Sequence, residues 1–134
     1  MAMIGQNNIR KYDCAILVEG QFDLVLSHQA GFYNTVALSG TGLTSEHIEL
    51  LARSSKNILF AFDADSAGVQ STIRGARMAF RREMEVKVIE LPEGEDPADC
   101  IGKEAERWKK AVREAVSVVE YLLRVLSRQA RDEE

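Results

Sequence analysis

An apolar run, Ile58-Leu59-Phe60-Ala61-Phe62, ends in Asp63-Ala64-Asp65 and passes at once into a helix signal, Ser66-Ala67-Gly68. No other stretch constrains the fold as tightly. A strand that is apolar without alternation is buried on both faces, as strands of a parallel sheet are. In an open α/β sheet, ligands gather at the carboxyl ends of the strands. Two carboxylates there, beside the amides of a helix N-terminus, suit a divalent cation and a phosphate. Upstream the arrangement recurs, where Cys14-Ala15-Ile16-Leu17-Val18 runs into Glu19-Gly20. Taken singly, the Asp-x-Asp can do no more than cap a helix, and Glu19-Gly20 can be a plain turn.

The rest of the chain falls into the same rhythm. Residues 1–12 are polar and predict a short arm. Phe22, Val25, Leu26 and Ala30 lie at helical spacing before Gly31, and Thr35-Val36-Ala37-Leu38 reads as a second strand. Ser39-Gly40-Thr41-Gly42 follows as a loop open to close backbone approach. Thr44 or Ser45 caps a helix with Ile48, Leu51 and Ala52 inward. After Asp65, Val69, Ile73, Ala76 and Phe80 form one apolar stripe, and Arg74, Arg77, Arg81 and Arg82 share that helix as a solvated face or a phosphate patch. Val86 to Leu91 predicts a fourth strand, ended by the turn chemistry of Pro92 to Pro97. A helix over 104–115 comes next. Ser117-Val118-Val119-Glu120 has the form of a capping box, opening a helix with Val119, Leu122, Leu123 and Leu126 inward. Strand-helix alternation four times over predicts an α/β fold: a four-stranded, mainly parallel sheet flanked by helices, with extra C-terminal helices.

At 134 residues the chain is one domain with a sizeable core. A net charge of −4 argues against unaided grip on nucleic acid, where Lys and Arg contacts to phosphate supply most non-specific affinity. Cys14 and Cys100 are far apart and predict buried free thiols. With His28 and His47, expected on helix surfaces, they match no zinc spacing. No signal peptide and no membrane-length apolar run is present, so the cytoplasm is the default expectation. The opening Met1-Ala2-Met3 predicts an excised domain.

If the sheet is parallel, the loops at Glu19-Gly20, Gly40-Thr41-Gly42, Asp63-Ala64-Asp65 and Asp96 to Asp99 share one edge. Carboxylates converging there repel unless cations neutralise them. Oxygen ligands without His or Cys select a hard ion, Mg²⁺ or Mn²⁺, the apparatus of phosphoryl or nucleotidyl transfer. Gly40-x-Gly42 is not a dinucleotide fingerprint, and there is no P-loop. A phospho-accepting signalling domain wants its acidic pair after the first strand and a lone aspartate in the middle, the reverse of what stands here.

Four segments in series resemble the Toprim domain of bacterial DNA primases: Leu17-Val18-Glu19-Gly20-Gln21-Phe22-Asp23, Val36-Ala37-Leu38-Ser39-Gly40-Thr41, Phe62-Asp63-Ala64-Asp65-Ser66-Ala67-Gly68 and Leu91-Pro92-Glu93-Gly94-Glu95-Asp96-Pro97. The likeness runs from about Asp13 to Ile101, and implies a Toprim domain over 13–102 between the arm and a helical segment over 103–134. It implies that Glu19 is a metal ligand or general acid/base, and that Asp63 and Asp65 are the metal-binding pair. Asp96 would join the metal site, with Gly20, Asp23, Gly40 and Thr41 as its supporting loops. Two departures stand out: Ala98 where a second acidic residue is frequent, with Asp99 one place on, and Gln21 where an aromatic is frequent. The implied activity is a metal-dependent nucleotidyltransferase making RNA primers for DNA replication, on a single-stranded DNA template and from nucleoside triphosphates. A zinc-binding domain, a basic subdomain and a tail that binds the replicative helicase would lie outside this chain, with no membrane partner. A fragment of this kind is expected to bind its metal weakly and to prime poorly or not at all. The alternatives are a free-standing Toprim nuclease acting on RNA or DNA with the same carboxylates, and a non-catalytic module that docks a partner through its C-terminal helices.

Overall fold

A computed structural model of the chain describes residues 6–38, 42–63, 65–91 and 96–132. Four strands, β1 (Ala15–Val18), β2 (Thr35–Ala37), β3 (Asn57–Ala61) and β4 (Glu85–Val88), pair in parallel. A two-residue strand, β5 (Val116–Ser117), adds an antiparallel edge beside β4, giving the order β2-β1-β3-β4-β5. The expected parallel sheet of four is therefore present, with one short strand more. Its core pair is β1 and β3, buried almost throughout because helices cover both faces.

The helices are α1 (Gln6–Tyr12), α2 (Gln21–Gln29), α3 (Ser45–Ala52), α4 (Ser66–Arg81), α5 (Pro97–Lys103), α6 (Ala105–Arg113) and α7 (Val118–Asp132). Residues of α1, α3, α4 and α7 close one face over Leu17, Phe60 and Val88. Residues of α2, α5 and α6 close the other over Ile16, Val18 and Ile89. Helix α4 lies unusually close to the sheet: a Cβ added at Gly75 would stand 2.7 Å from Leu43 Cδ2 and 2.9 Å from Phe60 Cζ.

Several expectations need correction. The polar N-terminal segment is helical from Gln6, and Ile9 is fully buried. On α2, Phe22 and Val25 face solvent, while Asp23 and Ser27 are buried. On α4 the inner face is Gly68, Thr72, Gly75, Ala76 and Ala79, and Phe80 is exposed. Pro97 opens α5 at the first helical position, where its missing N–H costs nothing, and the turn expected over 92–95 lies outside the described residues. Ser117 does cap α7, its Oγ accepting from Glu120 N at 3.2 Å. However, the inner face is Val118, Tyr121, Leu122 and Val125, which leaves Val119, Leu123 and Leu126 exposed. Cys14 is half-buried and Cys100 buried, and neither is in a disulfide. His28 is half-buried rather than on the surface, and its Nε2 lies 2.9 Å from the carbonyl of Thr35. No helix among the described residues is long and apolar enough to cross a membrane.

One buried polar chain ties α6 to α2 and β2. Trp108 Nε1 donates to Ser27 Oγ at 3.2 Å, Ser27 Oγ lies 2.7 Å from Thr35 Oγ1, and Thr35 Oγ1 donates to the carbonyl of Phe32 at 2.8 Å. The indole only donates, so the chain runs one way and every member is satisfied. Ser27→Ala strands the buried indole N–H. It is expected to lower unfolding free energy by ~1–3 kcal/mol in urea titrations monitored by circular dichroism.

Candidate metal centre

The parallel register brings the ends of β1 and β3 side by side, Val18 beside Ala61. Glu19 then reaches across, and its Oε1 accepts from Asp63 N at 3.1 Å. The two acidic strand ends thus meet, which neither segment shows alone.

Asp65 is the N-cap of α4, its Oδ1 accepting from Gly68 N at 2.7 Å. This is the helix-cap role, and it leaves Asp65 exposed with its second oxygen uncommitted among the described contacts. Asp63 is half-buried and makes no side-chain hydrogen bond or ion pair among the described residues. Burial, and then the charges of Glu19, Asp96, Asp65 and Asp23, push its carboxyl from 3.8 up to about 6. The four neighbouring carboxylates thus lie near enough for their charge to act on Asp63. Ion pairs among the described residues lie elsewhere: Arg82 and Arg53 on Glu49, and Arg124 and Arg128 on Glu90.

Asp96 is the N-cap of α5. Its Oδ1 accepts from Asp99 N at 2.8 Å, and Asp99 Oδ2 accepts in return from Asp96 N at 3.3 Å. Asp99 is therefore the capping-box partner of Asp96, with one oxygen engaged. Asp23 is buried, and its two oxygens accept from Gly20 N at 3.2 Å and Ala98 N at 2.9 Å. Gly20 is the N-cap of α2. Gly40 and Thr41 lie outside the described residues.

Two contributors went unread in the sequence. One is the Ala98 amide, a backbone donor that no side-chain pattern announces. The other is Gly68, where an added Cβ would fall 1.7 Å from the carbonyl oxygen of Asp63. The first turn of α4 presses directly on the loop that carries Asp63, and only glycine permits that approach. The signal was present in Asp65-Ser66-Ala67-Gly68, but a glycine three places past a cap also suits an ordinary helix start.

Among the described residues, no three His, Cys, Asp or Glu side chains form a ready-made ligand cage. The carboxylate pair on one edge, with the ion pairs of Glu49 and Glu90 lying elsewhere, suits a hard cation that keeps its own waters and takes one or two carboxylates.

A Toprim-like family model matches residues 16–101, from β1 to α5. The chain belongs to the Toprim-like family. The DNA primase of Clostridium acetobutylicum is 37% identical over 117 residues, which cover 87% of this chain and 19% of that protein. The Aquifex aeolicus primase, in a structure of its zinc-binding and RNA polymerase domains, superposes with a TM-score of 0.82 at 29% identity, covering 96% of this chain and 32% of that one. A primase catalytic domain bound to single-stranded DNA superposes with a TM-score of 0.78 at 29% identity, covering 93% and 41%. This Toprim domain is thus similar to those of bacterial DNA primases, and it spans about a fifth of the length of the curated relatives it matches.

Two outcomes follow from the geometry. Gly68→Ala forces Asp63 to move and is expected to destabilise the fold by ~1–3 kcal/mol. Gly102→Ala, where an added Cβ meets nothing within 4 Å, is expected to be neutral or slightly stabilising in the same urea titration. The raised Asp63 carboxyl sets a pH dependence. Its folded value lies above its unfolded value, so the ionised side chain opposes folding above about pH 6, and the penalty fades as pH falls toward 3.8. Without divalent cations, Asp63→Asn should melt above wild type at pH 7.5, and thermal scans should show the gap closing toward pH 4.

Proposed function

We propose that this Toprim domain is the metal-holding half of a DNA primase active site, with Glu19, Asp63 and Asp65 as the catalytic carboxylates and Asp96 lining the same site. One observation carries the proposal: Glu19 accepts from the Asp63 amide at 3.1 Å, joining the acidic ends of β1 and β3 on the ligand-binding edge of the sheet. The residues fit Mg²⁺ or Mn²⁺, because the donors are all oxygen and the Asp63 carboxyl, pushed up to about 6, is in surplus negative charge. When bound, such a cation neutralises charge on a nucleoside triphosphate and favours the ionised form of an attacking 3′-hydroxyl.

The chain's own groups do the rest. Glu19 is oriented by the Asp63 amide, so one oxygen is fixed and the other is free to meet a ligand or accept a proton. Asp65 is held by the first turn of α4, whose amides favour nearby negative charge. The substrates on this reading are nucleoside triphosphates, and the template is single-stranded DNA. With a net charge of −4, this domain contributes little of the phosphate grip, which falls to basic parts of such an enzyme, as does contact with the replicative helicase.

Mn²⁺ titration followed by electron paramagnetic resonance is expected to show weak binding that Asp63→Asn and Asp65→Asn each reduce by about tenfold or more. Residues 13–102, exchanged for the matching segment of the Clostridium acetobutylicum primase, should support primer synthesis, and Glu19→Gln in that hybrid should abolish it. Mg²⁺-dependent cleavage of RNA by the chain alone, lost in Asp63→Asn, would instead establish a nuclease.

A further inference from the structure

Asp23 is 7% exposed, and both of its oxygens are turned to backbone amides. Those amides belong to segments that follow different strands. Gly20 comes directly after Glu19 at the end of β1, and Ala98 lies in the first turn of α5, beyond β4. A cation taken up by Asp23 would share an oxygen with a half-buried amide and weaken that hydrogen bond. Asp96 and Asp99 bracket Ala98 and cap α5 reciprocally. Helix α5 has only seven residues, too few to fix its own first turn without outside support. The anchor that α2 supplies through Asp23 therefore governs where α5 begins, and with it where Asp96 stands.

We infer that Asp23 is a positioning residue rather than a metal ligand: it clamps the loop after β1 to the first turn of α5 and so sets Asp96 against Glu19 and Asp63. The inference rests on the proposed metal role of the site, and it departs from the expectation that Asp23 merely lines that site. It also gives Ala98 a part. The clamp uses the backbone amide at that position, so a side chain without a carboxylate serves.

The first measurement needs neither metal nor variant. The Ala98 amide occupies a helix start, where amides ordinarily exchange fast. In hydrogen exchange followed by ¹⁵N NMR on the metal-free chain it should be protected, and fast exchange there overturns the clamp. In Asp23→Asn, which keeps the shape but loses an acceptor, protection should fall at both Ala98 and Asp99. Unchanged protection at Asp99 would show that α5 is set without Asp23.

The second measurement is a Mn²⁺ titration of wild type, Asp23→Asn, Asp96→Asn and the double variant. Asp23→Asn should weaken Mn²⁺ binding about tenfold, the order expected for an outer-shell partner. In the Asp96→Asn background it should add less than about twofold, because it acts through Asp96. Fully additive losses would mark Asp23 as an independent ligand, and an unchanged affinity would mark it as purely structural; either overturns the inference. If wild type binds no Mn²⁺, the proposed function fails, and the exchange data on the metal-free chain decide the clamp by themselves.

Discussion

One hydrogen bond, from the Asp63 amide to the Glu19 carboxylate, holds the arrangement together. It exists because β1 and β3 run parallel and in register, so that Val18 and Ala61 end together and Glu19 reaches the Asp63 amide two residues on. The cost is crowding of negative charge, and among the described residues it is met by backbone amides. Glu19, Asp65, Asp96 and Asp23 each rest at least one oxygen on a main-chain N–H. Asp63 alone has no such donor among the described residues, and burial first, then the neighbouring charges, drive its carboxyl upward; burial also raises Asp23, against the pull of its two amides. Fixed amide dipoles offset part of that crowding without bringing a countercharge of their own.

The sheet supports this edge from below. Phe60 and Leu17 on one face and Ile16 and Val18 on the other are fully buried, so the strand ends cannot drift apart without opening both cores. Close packing at Gly68 extends the same rigidity into the loop that bears Asp63. Exposed apolar residues stand on α7 at Val119, Leu123 and Leu126, on α4 at Phe80, and on α2 at Phe22 and Val25.

Much of this was legible in the residues. Unbroken apolar strands ending in acids pointed to a parallel sheet with its ligands on one edge, and the four segments in series pointed to the Toprim family. What the pattern could not resolve was which side of each helix turns inward. On α7, apolar residues occupy Val118, Val119, Tyr121, Leu122, Leu123, Val125 and Leu126, nearly encircling the helix, so periodicity alone cannot pick the buried arc. On α2 the reading failed for the opposite reason. Asp23 and Ser27 are inside because distant partners, Ala98 and Trp108, satisfy them, and no local rule predicts a donor some seventy or eighty residues away. Helix α5 was within reach: Asp96-Pro97-Ala98-Asp99 is a cap, a first-turn proline and a reciprocal acid, but the surrounding turn residues masked it.

The buried chain that begins at Trp108 has an optical consequence. This is the only tryptophan in the sequence; it is fully buried, set edge-on to Phe32, and its indole is hydrogen-bonded to Ser27. The chain therefore carries a built-in fluorophore in a dry environment beneath α6, on the opposite face of the sheet from α4, the helix that Asp65 caps. Its emission follows the docking of α6 onto α2, and it can register loss of that layer separately from events at the acidic edge.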